Sequence, residues 1–289
     1  MKKILTSVAL ASLIITTSLA ADAKTNQVSK NAVIKAEKKA QNTELISEAV
    51  KAIQYTQDAL VYLNGKNIKK AKESIKKAIG ELSDLLNKPN TPYLLPVDVQ
   101  INAYQFEGDV KDVAKLVNEA KFLVAENKLP EAREILNSLR SEIIINTINL
   151  PIATYPAALN LALKYINENK VKEAEDVLAM ALSTLVETKT IIPIPLIKAQ
   201  ALVAKAQESV KKDKKQALKY LDEAKHQLVL AETLGYTSKS DTTYKMLKDE
   251  ITKLESEIKK GHKTGSIFED LLKKIKEFKE KAIKTIHQQ

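Results

Sequence analysis

Residues 190–197 read TIIPIPLI, and this stretch decides how the chain is organised. It lies between two segments with helical patterning, yet Pro193 and Pro195 prevent it from continuing a helix. Proline favours an extended conformation in the residue before it and is tolerated in the first turn of a helix. We therefore predict that Pro193 holds the preceding residues extended and that Pro195 starts a helix. Because an exposed loop would not be so rich in isoleucine and leucine, the stretch is expected to close a core.

Two similar connectors occur earlier, TPYLLPVDVQI from Thr91 and NLPIATYPAAL from Asn149. Four related segments lie beside the connectors, and each has an apolar helix end, a polar turn and an alanine soon after the turn. The four alanines are Ala71, Ala132, Ala174 and Ala217. This pattern predicts helical hairpins in which a small residue allows close approach of the two helices. The alanine spacing is uneven and exceeds the ~34 residues of a tetratricopeptide repeat.

The composition favours helix, because the chain has only 6 glycines and 8 prolines and is rich in alanine, leucine, lysine and glutamate. The predicted fold class is all-α, an irregular stack of antiparallel helical hairpins joined by apolar proline-bearing connectors. The net charge of +10 is almost entirely due to lysine, since Arg133 and Arg140 are the only arginines. Nucleic-acid recognition favours arginine and interleaved aromatic residues, so no nucleic-acid partner is expected.

The N-terminal sequence predicts a secretory signal peptide. Lys2 and Lys3 precede an apolar run from Ile4 to Leu19, and small residues follow from Ala20. We expect cleavage after Ala20 or Ala23, export to the periplasm and no membrane anchor. With no cysteine in the chain, disulfides and thiolate metal sites are excluded. The predicted organisation is a signal peptide at 1–20, an N-terminal arm or helix at 21–43, a hairpin domain at 44–236 and a C-terminal helical extension at 237–289.

A last helix is predicted from Ser266 to about His287. Its apolar residues recur at helical spacing and are Ile267, Leu271, Ile275, Phe278, Ala282 and Ile286. An isolated helix of this length is marginal in water, so this stripe is expected to be buried. We expect the protein to be a homo-oligomer with this helix at the interface between copies, and docking onto the helix's own domain is about equally favoured. The lysines opposite the stripe make contact with an anionic membrane surface a third, less favoured alternative.

The connectors also carry a family resemblance. The runs LPVDVQI at Leu95, LPIATYPAALNLAL at Leu150, ALSTLVETKTIIPIPLIKAQ at Ala181 and AETLGY at Ala231 resemble the YfdX family of bacterial exported proteins. The similarity spans about Glu44 to Tyr236. It implies an all-helical periplasmic protein that is associated with acid, drug or other envelope stress, is often oligomeric and has no established enzymatic activity. No catalytic residues are transferred, and the last helix has no counterpart in the family.

Little in the sequence points to catalysis. His226, His262 and His287 are far apart, glycine is too scarce for a phosphate-binding loop, and there is no GxSxG motif. We predict no catalytic residues, no metal site and no cofactor. A hydrolase with an unrecognised site remains a residual alternative.

A binding role has more support from the sequence. Five aromatic residues lie near apolar residues and prolines of the connectors: Tyr93, Tyr104, Phe106, Tyr155 and Tyr236. Tyrosine can line an apolar pocket and still offer a hydroxyl, although the same rings could fill a seam between hairpins. The sequence thus predicts a non-catalytic periplasmic protein that acts in envelope stress by binding proteins or small apolar molecules. A tetratricopeptide-like scaffold that presents a groove to peptides is the alternative.

Overall fold

A computed structural model describes residues 23–42, 44–238 and 241–288. The helices are α1 Ala23–Gln41, α2 Ser47–Asn64, α3 Ile68–Leu86, α4 Val110–Ala125, α5 Leu129–Ser138, α6 Tyr155–Asn167, α7 Val171–Ser183, α8 Ile194–Ser209, α9 Lys214–Thr233, α10 Thr242–Lys260 and α11 Gly265–Ala282. The strands are β1 Leu94–Tyr104, β2 Glu142–Pro151, β3 Val186–Pro193 and β4 Lys284–Gln288, adjacent in that order. The predicted signal peptide lies outside the described residues.

The all-α prediction is right for most of the described chain and wrong for the connectors, which form strands of a sheet. LPVDVQI lies in β1, NLP from Asn149 to Pro151 ends β2, and TIIP ends β3. The physical reason is the local abundance of valine, isoleucine and threonine, whose branched Cβ atoms favour the extended backbone. Pro151 and Pro193 are the last residues of β2 and β3, where a missing N–H leaves the ladder hydrogen bonds of the preceding residues intact.

Strand β2 runs antiparallel to β1 on one side and to β3 on the other. Ile152, which follows β2, donates its backbone N–H to the carbonyl oxygen of Tyr93, which precedes β1, at an N to O distance of 3.0 Å. Asn149 of β2 fixes the position of β3, because its Nδ2 donates to Val186 O at 3.1 Å and to the Thr188 hydroxyl at 3.0 Å. Asn149 is 4% exposed, so this amide forms its hydrogen bonds away from water and specifies the strand register.

The predicted hairpins are present as α2–α3, α4–α5, α6–α7 and α8–α9. The alanines that follow the turns, Ala71, Ala132, Ala174 and Ala217, are all buried. Three of the turns contain a residue with positive φ, namely Lys66 at 57°, Asn127 at 60° and Asn169 at 62°. Asparagine adopts this left-handed conformation more readily than most residues, which suits it to these turns.

The described chain divides into two compact units built from discontinuous segments. The first unit contains α1, Ile101–Ile144 and Thr190–Lys284; the second contains Asn42–Gln100, Ile145–Lys189 and the residues from Thr285. In the second unit α2–α3 packs on α6–α7, through α3 with α6 and α2 with α7. In the first unit the α8–α9 hairpin contacts α1, α10 and α11, and α4 contacts α9.

The TIIPIPLI stretch closes a core, as predicted, through its second half. Ile191 and Ile192 are half-buried, whereas Pro193 to Ile197 are buried. Pro195 lies in the first turn of α8, and Ile194 N donates to Ser141 O at 2.9 Å. Leu196 belongs to the hydrophobic core of the first unit.

The last helix docks within its own unit, in agreement with one of the two favoured alternatives. Leu271, Ile275 and Phe278 are buried in the core formed with α8 and α10, and Ile267 is half-buried against it. The helix is shorter than predicted, because α11 ends at Ala282. Ile286 therefore lies on β4 and is not part of the helical stripe.

Candidate functional site

A cavity of about 370 Å³ lies in the first unit. It is bordered by α4, α5, the end of α9 and the ends of β2 and β3 that belong to this unit. The apolar walls are Val113, Val117, Leu136, Leu139, Ile191 and Leu234. Arg140, Glu142, Thr233 and Tyr236 provide polar groups at its border. This combination of apolar walls and a few convergent polar groups is typical of sites for small molecules.

Local sequence signals position the helices around the cavity. The Asp109 carboxylate accepts hydrogen bonds from Lys111 N at 2.7 Å and Asp112 N at 3.1 Å, while the Asp112 carboxylate accepts from Asp109 N. This capping box fixes the start of α4, which carries Val113 and Val117. Val113 is buried in a small cluster with residues of α9 and the end of α5, and this cluster holds the hairpin against α9.

Gly235 ends α9 and directs Tyr236 to the polar border of the cavity. Its φ of 84° lies in the left-handed region that favours glycine. A Cβ atom added there would meet no heavy atom within 4 Å, so the conformation and not a lack of space requires glycine. The backbone N–H of the next residue, Tyr236, donates to the carbonyl oxygen of Ala231 at an N to O distance of 2.9 Å.

The polar side chains form a connected network. The Tyr236 hydroxyl accepts from Ser141 N at 2.9 Å and donates to Glu142 Oε2 at 3.1 Å. Glu142 Oε1 accepts from Arg140 Nε at 2.9 Å. The Arg140 guanidinium carbon lies 3.8 Å from the centroid of the Tyr104 ring, which is within the range of a cation–π interaction. Residues from β1, β2 and the segment after α9 are thereby held together.

Burial raises the pKa of Tyr236 above its ordinary value, and the carboxylate of Glu142 raises that pKa further. The hydroxyl consequently remains protonated at neutral pH and acts as the donor to Glu142. At the same time it is the acceptor for Ser141 N, so both of its hydrogen-bonding functions are used.

Arg140 borders the cavity and has donors beyond the one that Glu142 occupies. Its Nε is occupied by Glu142, whereas neither Nη atom has an acceptor among the residues that the structure describes. The Arg140 side chain is 28% exposed and that of Glu142 is 11% exposed. The site therefore offers guanidinium N–H groups next to apolar walls, with the arginine charge offset by one carboxylate.

The structure brings together three of the five predicted aromatic residues. Tyr104 contacts Arg140, Tyr236 contacts its partner Glu142, and Phe106 packs against the cluster that contains Val113. The other two, Tyr93 and Tyr155, are in the second unit. There Tyr93 is 83% exposed and Tyr155 is part of the core.

Sequence reasoning missed Arg140 and Glu142 as site residues. The available signal was the rarity of arginine, since Arg140 is one of only two in a chain whose other basic residues are almost all lysine. Glu142 and Ser141 lie 94 and 95 residues from Tyr236 along the chain, and no local pattern indicates such a pairing.

The described residues contain no group of three or more histidine, aspartate or glutamate side chains placed to hold a metal ion. Likewise, none of the helices in the described ranges has both the length and the apolar character needed to cross a membrane.

Comparison with protein families relates one segment of the chain to a known family. A family model described as YfdX protein matches residues 52–191. The chain belongs to the YfdX family through this segment. Among solved structures, it is similar to one of Salmonella Typhi YfdX, with 17% sequence identity and a TM-score of 0.39. That match covers 54% of this chain and 96% of the Salmonella chain. The comparison with curated proteins finds no match.

The YfdX segment supplies only part of the cavity. Arg140 and Glu142 fall inside residues 52–191, and Ile191 is the last residue of that segment. Thr233 to Tyr236 follow the YfdX segment and complete the border of the cavity.

Proposed function

We propose that this YfdX-family protein is a non-catalytic binding protein whose cavity in the first unit holds a small apolar molecule. The observation that carries the proposal is a cavity of about 370 Å³ with aliphatic walls and the Arg140–Glu142–Tyr236 network at its border. Its volume is in the range of cavities that hold small organic ligands.

The chemistry of the border defines the ligand further. Because Glu142 offsets the charge of Arg140, an additional anionic group on the ligand would lie near a carboxylate. A neutral hydrogen-bond acceptor, such as a carbonyl or ether oxygen, fits the Nη donors without this repulsion. We therefore propose an apolar molecule with a neutral acceptor group.

Dye binding tests this proposal. A neutral environment-sensitive dye with a carbonyl acceptor, such as Prodan, is titrated into the protein, whose lack of tryptophan leaves the fluorescence window clear. We expect saturable binding to the wild type and at least tenfold weaker binding to Val117→Phe, which fills the cavity. The matched control is Val61→Phe, since Val61 is 67% exposed on α2 and does not line the cavity. Equal binding by the wild type and Val117→Phe would overturn the proposal.

The proposal also includes the absence of catalysis. Its support is that the Arg140, Glu142 and Tyr236 side chains hydrogen-bond to one another, and that burial raises the pKa of Tyr236 and so keeps the one hydroxyl paired with a carboxylate in its weakly nucleophilic, protonated form. Activity profiling with ester, glycoside and peptide substrates tests it, and turnover that is lost in Glu142→Gln would identify the protein as an enzyme.

We further propose that the protein is exported to the periplasm and acts in envelope stress caused by acid or drugs. This rests on the N-terminal sequence and on the family resemblance. Osmotic-shock fractionation with N-terminal sequencing tests the location, and survival of a deletion strain under acid and drug challenge tests the role. Recovery of the form that retains Met1 from the cytosol would overturn export.

The binding function is favoured over a tetratricopeptide-like scaffold. In the hairpins α2–α3, α4–α5 and α6–α7, the second helix is followed by a strand and not directly by the next hairpin. A tetratricopeptide groove depends on consecutive hairpins that stack on their neighbours.

A further inference from the structure

Among the side chains that the structure describes in the first unit, six lysines are half-buried. Five of them have a side-chain partner: Lys205 with Glu208, Lys225 with Glu255, Lys248 with the Tyr244 ring, Lys274 with Glu250 and Lys279 with Gln200. The sixth is Lys198 of α8, whose Nζ has no hydrogen-bond acceptor and no ion-pair partner within the described ranges. A charged amine that is withdrawn from water without a partner is unfavourable.

Carboxylates from two other segments of the same unit lie near Lys198. They belong to Glu223 of α9 and to Glu107, which lies between β1 and α4. Burial has the larger effect and lowers the pKa of Lys198 below its ordinary value, while the two carboxylates oppose this shift. The neutral and therefore nucleophilic form of the amine is more populated than for a lysine in water.

Gln227 adds an unused acceptor next to Glu223. It lies about one turn further along α9, is 7% exposed and donates from Nε2 to Glu223 Oε1 at 2.8 Å. This hydrogen bond fixes the orientation of the amide, because the opposite orientation would bring two acceptor oxygens together. Gln227 Oε1 is buried and has no donor among the described residues. A buried acceptor of this kind costs stability unless a donor reaches it.

We call Lys198, Glu107, Glu223 and Gln227 the Lys198 cluster. All four residues belong to the first unit, and none of them lines its cavity. The cluster combines an amine without an acceptor, an amide oxygen without a donor and a carboxylate that can exchange protons. A molecule that reacts with the amine and presents a hydroxyl group would use both of the unpaired groups.

The two carboxylates near Lys198 define the class of reagent. Acylation of the amine would remove its positive charge, and reaction with carbon dioxide would place an anionic carbamate beside Glu107 and Glu223. Condensation with an aldehyde gives an imine, which keeps the positive charge when it is protonated. A small neutral aldehyde therefore fits the charges of the cluster.

We propose that Lys198 is a covalent site for small neutral aldehydes, which it holds as a protonated imine. The neutral Nζ attacks the carbonyl carbon, a C–N bond forms, and a proton passes from nitrogen to oxygen to give a carbinolamine. The nitrogen lone pair then expels this oxygen, once protonated, as water. Overall, the ammonium form and one aldehyde give the protonated imine and one water. Glu223 transfers the protons, and Gln227 Oε1 accepts from the carbinolamine hydroxyl.

Reductive trapping tests this proposal, which is separate from ligand binding in the cavity. The folded protein is incubated at neutral pH with substoichiometric propanal and cyanoborohydride, and peptide mapping by mass spectrometry measures the label at each lysine. We expect about tenfold more label on Lys198 than on Lys205 or Lys225, and several times more than on Lys279. Lys279 is the closest comparison, because burial lowers its pKa as well but its Nζ donates to Gln200 Oε1 at 2.6 Å.

Two further measurements separate the folded site from general lysine chemistry. In urea the preference for Lys198 should disappear, since unfolding returns its amine to water. In folded protein, Lys198→Arg keeps the charge but removes the reactive amine and should lower the total lysine label, whereas the control Lys205→Arg should leave that total unchanged. Label on Lys198 no greater than on Lys205 or Lys279, or the same preference in urea, would overturn the proposal.

Discussion

The guanidinium of Arg140 lies 3.8 Å from the centroid of the Tyr104 ring. The same side chain donates through Nε to Glu142, which in turn accepts from the Tyr236 hydroxyl. Arginine suits this position because its planar group stacks on a ring while its edge donates to a carboxylate. The arrangement orders the polar border of the cavity before a ligand arrives.

Arg140→Lys is expected to weaken dye binding severalfold and to lower the free energy of unfolding by about 1 kcal/mol. Lysine keeps the charge but loses the planar stacking on Tyr104 and the Nε–H donor to Glu142. Dye titration and urea unfolding measure the two effects. The matched control is Arg133→Lys, which changes the other arginine at an exposed position of α5. If Arg133→Lys has the same effect, the stacked position has no special role.

Tyr236→Phe is expected to destabilise the protein by about 1–3 kcal/mol, since it leaves Ser141 N without its acceptor and Glu142 with one donor fewer. Urea unfolding monitored by circular dichroism checks this value. Tyr93→Phe removes a hydroxyl from a residue that is 83% exposed and serves as the control. A stability change no larger than that of the control would mean that water replaces the hydroxyl without any loss in the free energy of unfolding.

The hairpins were predictable from the sequence because their signals are local. The polar turns and the alanines such as Ala71 and Ala174 lie within a few residues of each other, and the first turn of α8 is marked by Pro195. The sheet was not predictable in the same way. Short apolar runs bounded by prolines fit a buried strand and a core-closing connector equally well, and the partner of each strand lies tens of residues away.

The candidate site was predictable only in its aromatic residues. Tyrosine and phenylalanine near apolar connectors indicate a binding surface, and of the residues predicted on that ground Tyr236 borders the cavity while Tyr104 and Phe106 lie beside its border residues. Their grouping depends on Arg140 and Glu142, whose contacts join segments distant in sequence. The separation of the other two aromatic residues from this group depends on the division of the chain into two units, for which the sequence has no local marker.

Tyr155→Phe is expected to reduce the loss of stability in alkaline solution. Burial raises the pKa of Tyr155 to about 12, against a weaker opposing effect of the nearby Thr56 hydroxyl. A raised pKa means that the folded protein disfavours the phenolate, so this contribution to stability is complete below pH 10.0 and is lost as the pH rises toward about 12.

Urea midpoints at about pH 9 and about pH 11 measure this contribution. The wild type should lose more stability across this range than Tyr155→Phe, and Tyr93→Phe should behave like the wild type. At neutral pH we expect Tyr155→Phe to leave the free energy of unfolding nearly unchanged, because the buried hydroxyl has no partner of good geometry among the described residues. An identical alkaline loss in wild type and Tyr155→Phe would contradict the assignment.

Leu196→Ala is expected to lower the free energy of unfolding by about 2–5 kcal/mol, since it opens a cavity in the core of the first unit. Leu196 is fully buried at the start of α8, in the second half of the TIIPIPLI stretch. The control is Leu86→Ala at the end of α3, where the side chain is 54% exposed. Thermal melts compare the two variants, and equal melting temperatures would show that the stretch does not close the core.

Methyl chemical shifts locate the bound molecule in the cavity or elsewhere without relying on a variant. Protein with labelled leucine and valine methyl groups is titrated with Prodan and followed by nuclear magnetic resonance. Binding in the cavity predicts saturable shifts for Val117, Leu136 and Leu139 and constant signals for Leu159 and Leu178 in the core of the second unit. Saturable shifts at Leu159 and Leu178 without shifts at Leu136 and Leu139, or no saturable shift at any of them, would contradict the claim.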